Sequence, residues 1–279
     1  MKPQSKVSFF RHATSVLTIA ALGISSAALW GAPAAPPAAL TPEQISKLLE
    51  DGTTVLKGGN PELAIKNYFE PVNQSFMRQT AKAGADDEIY ATHSATETSA
   101  YSARVAKNNE GSSKPTKMVT VDGAWTDALV LKARAQAQLK QLPAAKSTLE
   151  QATVLSPAWP LVWIELGSIY REEKNWENSF KAYKQGESFA GAVEEKAAQT
   201  QVLATALRGQ AAALIEMGRL DDAETLYKRC LKMNPADTEA TEGLAQVAAK
   251  KGTSAPAASP PAAGAPAAGA PAAPAPAPR

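Results

Sequence analysis

Residues 160–170 read Pro-Leu-Val-Trp-Ile-Glu-Leu-Gly-Ser-Ile-Tyr. In an α-helix, residues spaced three, four and seven positions apart lie on the same face. One such stripe is formed by Trp163, Leu166, Gly167 and Tyr170. The glycine lets a partner helix approach closely, and the aromatic rings fill the space on either side of it. This stretch therefore predicts a helix packed tightly against a second helix.

The same order of small and large side chains returns at a fixed distance along the chain. The counterparts 34 positions apart are Leu129 and Trp163, Ala133 and Gly167, Ala145 and Ser179, Leu149 and Tyr183, and Ala152 and Gly186. The next copies follow after 44 positions, at Leu207, Ala211, Ala223, Tyr227 and Cys230, which indicates the same unit with an insertion of ten residues. A period near 34 residues is typical of stacked helix–turn–helix units.

The pattern Trp163-x-x-Leu166-Gly167-x-x-Tyr170 resembles the first helix of the tetratricopeptide repeat, and the resemblance is to exported bacterial proteins of that family. It implies an all-α fold, a right-handed superhelical solenoid of stacked antiparallel helix pairs, with disordered termini. The predicted repeat core consists of Trp163, Leu166, Gly167, Tyr170, Tyr183, Ala223, Tyr227, Cys230 and Pro235.

The predicted helical domain covers residues 42–252. Its units lie at about 45–78, 126–159, 160–193 and 204–237, followed by a capping helix at 238–250 that covers the last apolar face. Residues 70–125 interrupt the repeat. Within them we expect a helix around Asp87–Lys107, belonging to an incomplete or unusual unit.

Residues 1–34 have the pattern of a secretory signal peptide. Lys2, Lys6 and Arg11 precede an apolar stretch, and Ala32-x-Ala34 offers a cleavage site before Ala35. The alternative is an uncleaved helical anchor. The expected location of the protein is therefore periplasmic or secreted, with residues 35–41 as a short linker.

The other end of the chain, residues 253–279, consists almost entirely of alanine, proline and glycine. Prolines remove backbone donors, and such small side chains bury too little surface to offset the entropy of ordering. We predict a disordered tail or spacer. A ligand for a proline-recognising groove is the alternative.

The charge balance gives no reason to expect a nucleic-acid partner. Lys2, Lys6 and Arg11 are the only Lys, Arg, Asp or Glu residues of the leader, so 26 of the 29 basic residues and all 27 acidic residues belong to the rest. Such a chain has no excess of basic residues to attract nucleic acid or an anionic membrane. Membrane attachment is expected only through an uncleaved leader.

The reactive side chains argue against an enzyme. Beyond the leader, His93 is the only histidine and Cys230 the only cysteine. Zinc-binding spacings of histidine and cysteine are therefore absent, and no metal or cofactor is predicted. His93, which stands alone among small residues, is expected at the surface.

In tetratricopeptide-repeat proteins the first helix of each unit lines a concave groove. The resemblance places these residues there: Val130, Arg134, Gln138, Ile164, Ser168, Arg171, Arg208, Ala212 and Ile215. One arginine per unit suits an extended peptide with acidic and apolar side chains, although simple solvation of these arginines is the alternative. An exposed Trp125 or Trp159 at the rim of the groove is a further hypothesis.

The function that this pattern favours is an exported scaffold, an assembly or adaptor factor, that binds a protein or peptide partner. The alternative is a structural, envelope-associated protein or spacer that uses the Ala/Pro-rich tail.

Overall fold

The computed structural model describes residues 39–254, so the predicted signal segment and residues 255–279 lie outside the described part. The helices are α1 Pro42–Lys57, α2 Pro61–Ala64, α3 Glu70–Thr80, α4 Ala95–Asn109, α5 Ala124–Gln138, α6 Leu142–Leu155, α7 Pro160–Glu172, α8 Trp176–Phe189, α9 Lys196–Glu216, α10 Leu220–Met233 and α11 Thr238–Ser254. The strands are β1 Glu88–Thr92 and β2 Met118–Asp122. None of the helices within residues 39–254 combines the length and the apolar character needed to span a bilayer.

The helices stack in pairs. In the first unit, α1 packs against α2 and against the π-helical turn at Ile65–Phe69, which leads into α3. The next pairs are α5 with α6, α7 with α8, and α9 with α10, and α11 packs on the last pair. The first helices also contact one another in order, from α1 through α5, α7 and α9 to α11. The predicted solenoid of stacked helix pairs is confirmed for this part of the chain.

Each first helix ends in a short turn with one residue in the left-handed conformation. Gly59 and Gly218 occupy this place in the first and last units, with φ of 80° and 75°. Lys140 and Lys174, which are 34 positions apart, adopt φ of 60° and 57° in the two middle units. Left-handed backbone is less favourable for lysine than for glycine, so the turn that closes each helix pair is held by the packing around it.

Tyrosine rings connect neighbouring units. Tyr183 of α8 is 3% exposed and lies between Gly167 of its own unit and Gly209 of α9, and a Cβ atom at either glycine would collide with the ring. Tyr227 of α10 lies in the same way against Gly243 of α11. The ring of one unit thus occupies space that the glycine of the next first helix leaves free.

The structure corrects part of the predicted repeat core. Leu166, Gly167, Tyr183 and the α10 residues Ala223, Tyr227 and Cys230 are buried. Trp163 and Tyr170 are only half-buried, although both pack against the core, and the Trp163 indole donates a hydrogen bond to the Pro157 carbonyl at 2.8 Å. Pro235 is exposed, because it lies in the turn between α10 and α11 rather than on a helix face.

Residues 88–122 form a β–α–β insertion instead of the single helix expected around Asp87–Lys107. The parallel strands pair in register from Glu88 with Met118 to Thr92 with Asp122, and α4 connects them. Both strands contain β-branched residues, but their pairing joins segments about 30 residues apart, which local sequence patterns do not reveal. This small sheet is the exception to the all-helical prediction within residues 39–254.

Hydrogen bonds attach the insertion to the second unit. The buried Ser156 hydroxyl, at the end of α6, donates to the Ala91 carbonyl of β1 at 2.6 Å and lies 2.6 Å from the Thr126 hydroxyl of α5. Tyr101 of α4 accepts a hydrogen bond from the Ala158 amide at 3.1 Å. The insertion is therefore fixed to the connection between α6 and α7.

The ten extra residues before the last unit lengthen α9. After a 3-10 turn at Ala190–Ala192, the Glu195 side chain caps the helix by accepting from the amides of Ala197 and Ala198. As a result, α9 has 21 residues, whereas α7 has 13.

We expect Gly243→Ala to lower the free energy of unfolding by about 1–2 kcal/mol, because the new methyl group overlaps the Tyr227 ring and the cost of overpacking exceeds the gain in helix propensity. Gly252→Ala in the same helix is the matched control, since a Cβ atom there meets no neighbour. It should leave stability unchanged or raise it. Urea unfolding of both variants measures the difference, and equal effects would contradict the packing described.

Candidate functional site

The exposed part of the first-helix face is narrower than predicted. Val130, Ile164 and Ile215, which were expected to line the groove, are buried, with at most 5% of each residue exposed. Each packs into a core cluster between helices. The physical reason is that a first helix contacts its own second helix and also the first helices on both sides, so only one strip of it stays accessible.

The accessible strip opens into a cleft of about 400 Å³ between α1, α5 and α7. Arg134 and Gln138 of α5 and Ser168 of α7, which are three of the residues expected in the groove, line this cleft, and we call it the first-helix cleft. Arg134 donates to Glu165 across the helices, with 2.6 Å between Nη2 and Oε1. Leu131 and Ala137 add apolar surface to the same cleft.

Sequence reasoning missed the contribution of α1. Thr53 and Lys57 line the cleft at positions equivalent to Arg134 and Gln138 of α5. Counting onward from Gly52, which aligns with Gly167, would have found them. The first helix of that unit resembles the family pattern too weakly for its surface residues to stand out.

Arg208 has a structural role. Its Nη1 atom lies 2.5 Å from Asp237 Oδ2, and its Nε atom lies 3.0 Å from Glu239 Oε2. Asp237 is buried and also accepts from the Ala240 amide at 3.0 Å, at the start of α11. The arginine thus ties α9 to the beginning of α11, and its charge is already compensated.

Arg171 is the predicted groove arginine that stays uncompensated. Within residues 39–254 it is exposed and forms no hydrogen bond or ion pair. Burial raises the pKa values of Tyr183 and Tyr227, and the positive charge of Arg171 opposes that change at both hydroxyl groups. The charge of Arg171 therefore acts on tyrosines of both α8 and α10. Ala212 of α9, also predicted to line the groove, is half-buried.

The prediction that His93 lies at the surface is wrong. Its ring stacks on Trp159 with 3.7 Å between ring centroids, and a Cβ atom at Gly123 would come within 2.5 Å of it. Nδ1 lies 3.2 Å from Glu97 Oε2, and Nε2 lies 3.2 Å from Asp127 Oδ1. Two carboxylates from different elements thus hold the imidazole at the junction of the insertion and α5.

The charges of this junction stabilise one another. Burial alone would lower the pKa of His93, but the hydrogen bonds and charges of Asp127 and Glu97 outweigh it and raise the pKa to about 9. Burial acts to raise the pKa of Glu97, yet hydrogen bonds from His93 and Tyr101 hold it below its usual value. Both ring nitrogens are engaged and the ring is covered, so this histidine has no free atom for acid–base chemistry on a substrate.

The tryptophans expected at the rim of the groove are used in packing. Trp125 is buried, stacks on Phe76 at 5.6 Å and donates to Asn73 Oδ1 at 2.8 Å. Trp159 is half-buried beneath His93. Within the described residues, no group of three or more His, Cys, Asp or Glu side chains is placed to hold a metal ion.

Residues 204–247, which comprise most of α9, all of α10 and the first part of α11, match the family model described as tetratricopeptide repeat. The chain thus contains a tetratricopeptide repeat. Its helix pairs at 124–155 and 160–189 repeat the geometry of the matched unit, with the same turns and the same tyrosine position in α8 and α10. None of the curated proteins matches the chain at a significant level.

Two solved structures are similar to this repeat protein. The first TPR of Spaghetti (RPAP3), bound to the HSP90 peptide SRMEEVD, is 18% identical with a TM-score of 0.40, and the match covers 47% of this chain and 97% of that one. BtubC (BKLC) from P. vanneervenii is 10% identical with a TM-score of 0.38, covering 81% and 95%. Both TM-scores are low, and the tetratricopeptide repeat at residues 204–247 is assigned from the family match.

We expect the stability contributed by His93 to depend on pH. Its folded pKa of about 9 lies above the ordinary 6.5, so the contribution is fully present below pH 6.5 and is lost as the pH rises to about 9. The difference in unfolding free energy between the natural chain and His93→Gln should therefore shrink by roughly 2–3 kcal/mol over this range. Urea unfolding at several pH values measures it. A difference that stays constant would contradict a charged histidine at this junction.

Proposed function

We propose that this repeat protein is an exported scaffold that holds an extended segment of a partner protein along its first-helix face. The observation that carries the proposal is the first-helix cleft, to which three consecutive first helices contribute polar, charged and apolar side chains. Extended peptides offer alternating main-chain and side-chain groups, and a surface of this mixed composition can satisfy both.

A bound peptide can replace one member of an ion pair in the cleft at a small cost in free energy. Arg134 is 42% exposed where it pairs with Glu165, and Lys140 lies 3.8 Å from Glu172 with 82% of its side chain exposed. Exposed pairs of this kind contribute only about 0–1 kcal/mol each. A peptide carboxylate or amide can therefore replace one member of a pair without a large penalty.

The charges also limit which partner fits. One acid-binding arginine per unit was expected, but Arg134 is paired and Arg208 is structural. Arg171 alone offers an uncompensated guanidinium within the described part of this face. We infer a partner segment with one acidic residue opposite Arg171 and polar or small apolar side chains along the first-helix cleft.

The proposed role, that of an adaptor or assembly factor, is non-enzymatic. The alternative of an envelope-associated spacer depends on the Ala/Pro-rich tail, most of which lies outside residues 39–254. It remains a hypothesis with no contact in the described part of the chain in its favour.

To test the cleft, a photo-reactive benzoylphenylalanine is placed at the exposed Gln138, and crosslinked proteins are identified by mass spectrometry. We expect one specific partner from this position, with its yield lowered about tenfold by Arg171→Glu. The matched control is Lys181→Glu on α8, where the side chain is 65% exposed on a second helix. Equal loss in both variants, or no loss in either, would overturn the assignment of the cleft.

Export is proposed from the leader pattern of residues 1–34. The mature protein recovered from cells should begin at Ala35 and be found outside the cytoplasm. Amino-terminal sequencing of the purified protein measures this. Recovery of the intact leader in a soluble cytoplasmic fraction would contradict the proposal.

A further inference from the structure

The two strands of the insertion differ in what lies beside them. The hydrogen bonds from the Glu88 amide to the Lys117 carbonyl, at 2.8 Å, and from the Gly123 amide to the Thr92 carbonyl, at 2.9 Å, set the direction of the backbone groups. Along a strand these groups alternate between the two sides. The main-chain N–H and C=O groups of the odd-numbered residues of β2 therefore point toward β1, and those of the even-numbered residues point away from it.

The outer edge of β1 is covered. The Ala91 carbonyl accepts from Ser156, and the His93 amide, just after the strand, donates to Glu97 Oε2 at 2.7 Å. Both partners are buried side chains of this chain. No further strand can pair on this side without displacing them.

The outer edge of β2 is open. The main-chain amides and carbonyls of Met118, Thr120 and Asp122 point away from β1 and have no hydrogen-bond partner within residues 39–254. Thr120 and Asp122 are exposed, and Met118 is half-buried against Tyr90 and Tyr101 on the α4 side. An exposed row of unpaired donors and acceptors is a template for another strand.

We propose that the open edge of β2 is a second binding site, at which an extended segment of another protein adds a third strand to the sheet. Main-chain hydrogen bonds to Met118, Thr120 and Asp122 supply the binding, as in other cases of strand addition. This site is separate from the first-helix cleft and does not depend on the function proposed for it.

Charge and size favour a separate segment over a second copy of this chain. Lys117, which is exposed and has no ion pair within residues 39–254, precedes the strand, and Asp122 ends it. Two β2 strands paired antiparallel about Thr120 would set Asp122 opposite Met118 and Lys117 opposite Gly123, so no opposite charges meet. Pairing along an edge of five residues would also bury far less surface than the roughly 1,200 Å² that stable dimers bury.

The same features describe the partner. An antiparallel segment with an acidic residue opposite Lys117 and a basic residue opposite Asp122 forms an ion pair at each end. Between them, valines opposite Val119 and Val121 continue the apolar face of the sheet, and threonines continue the face that bears Thr120. The hexapeptide acetyl-Lys-Val-Thr-Val-Thr-Glu-amide meets all of these conditions.

The test measures binding of this hexapeptide, labelled with a fluorophore, to the full chain by fluorescence anisotropy. A control peptide carries N-methyl groups on both threonine amides, which removes two of the three donors that would face β2 but leaves the charges unchanged. We expect the hexapeptide to bind and the methylated peptide to bind at least about tenfold more weakly.

Two variants of the protein locate the site. Thr120→Pro removes an outward amide but no bond to β1, and it should weaken binding by about tenfold, whereas Thr120→Val keeps the amide and should bind as the natural chain does. Amide exchange should show that the hexapeptide protects Thr120 and Asp122. Since the peptide comparison uses the natural chain, it stands even where Thr120→Pro misfolds.

Three results would overturn the proposal. The first is the absence of binding at millimolar protein, and the second is equal binding of the methylated peptide. The third is protection of the Thr120 amide in the free protein that rises with protein concentration, because a second copy of the chain would then occupy the edge.

Discussion

The stack depends on space that glycine leaves for a tyrosine ring. Where the second helix of one unit meets the first helix of the next, Tyr183 lies against Gly209 and Tyr227 lies against Gly243. Each ring crosses the boundary between two units, so the contact joins them as well as filling a core. In repeat proteins such nearest-neighbour interfaces set the stability of the whole array. Arg208 strengthens the last of these boundaries through Asp237.

The same close packing limits the surface that remains for a partner. Because each first helix is enclosed on several sides, Val130, Ile164 and Ile215 turn inward, and only a narrow strip of each helix stays accessible. The first-helix cleft lies where α1, α5 and α7 leave a gap. The insertion is fixed to the connection between α6 and α7, so it adds a strand edge to the stack without covering that cleft. Two surfaces of different chemistry are thereby carried by one stack of helices.

Sequence periodicity was sufficient where the determining contacts recur. The spacing from Gly167 to Ala133 predicted two helix pairs, and Gly209 and Gly243, also 34 apart, carry the same information about the tyrosine contacts. Periodicity could not predict contacts made once, between distant segments. The pairing of β1 with β2 is one of these, and the enclosure of His93 by Glu97 and Asp127 is another. The prediction of groove residues was wrong for Val130, Ile164 and Ile215, because the spacing of residues along a helix does not tell how many neighbouring helices enclose it.

The most direct test of this account is the nuclear Overhauser effect between tyrosine ring protons and glycine α-protons in the folded protein in solution. We predict strong signals from Tyr183 to Gly209 and from Tyr227 to Gly243, because each ring lies directly on the glycine backbone. Absence of both signals, with the tyrosine rings accessible to solvent, would contradict a stack joined in this way.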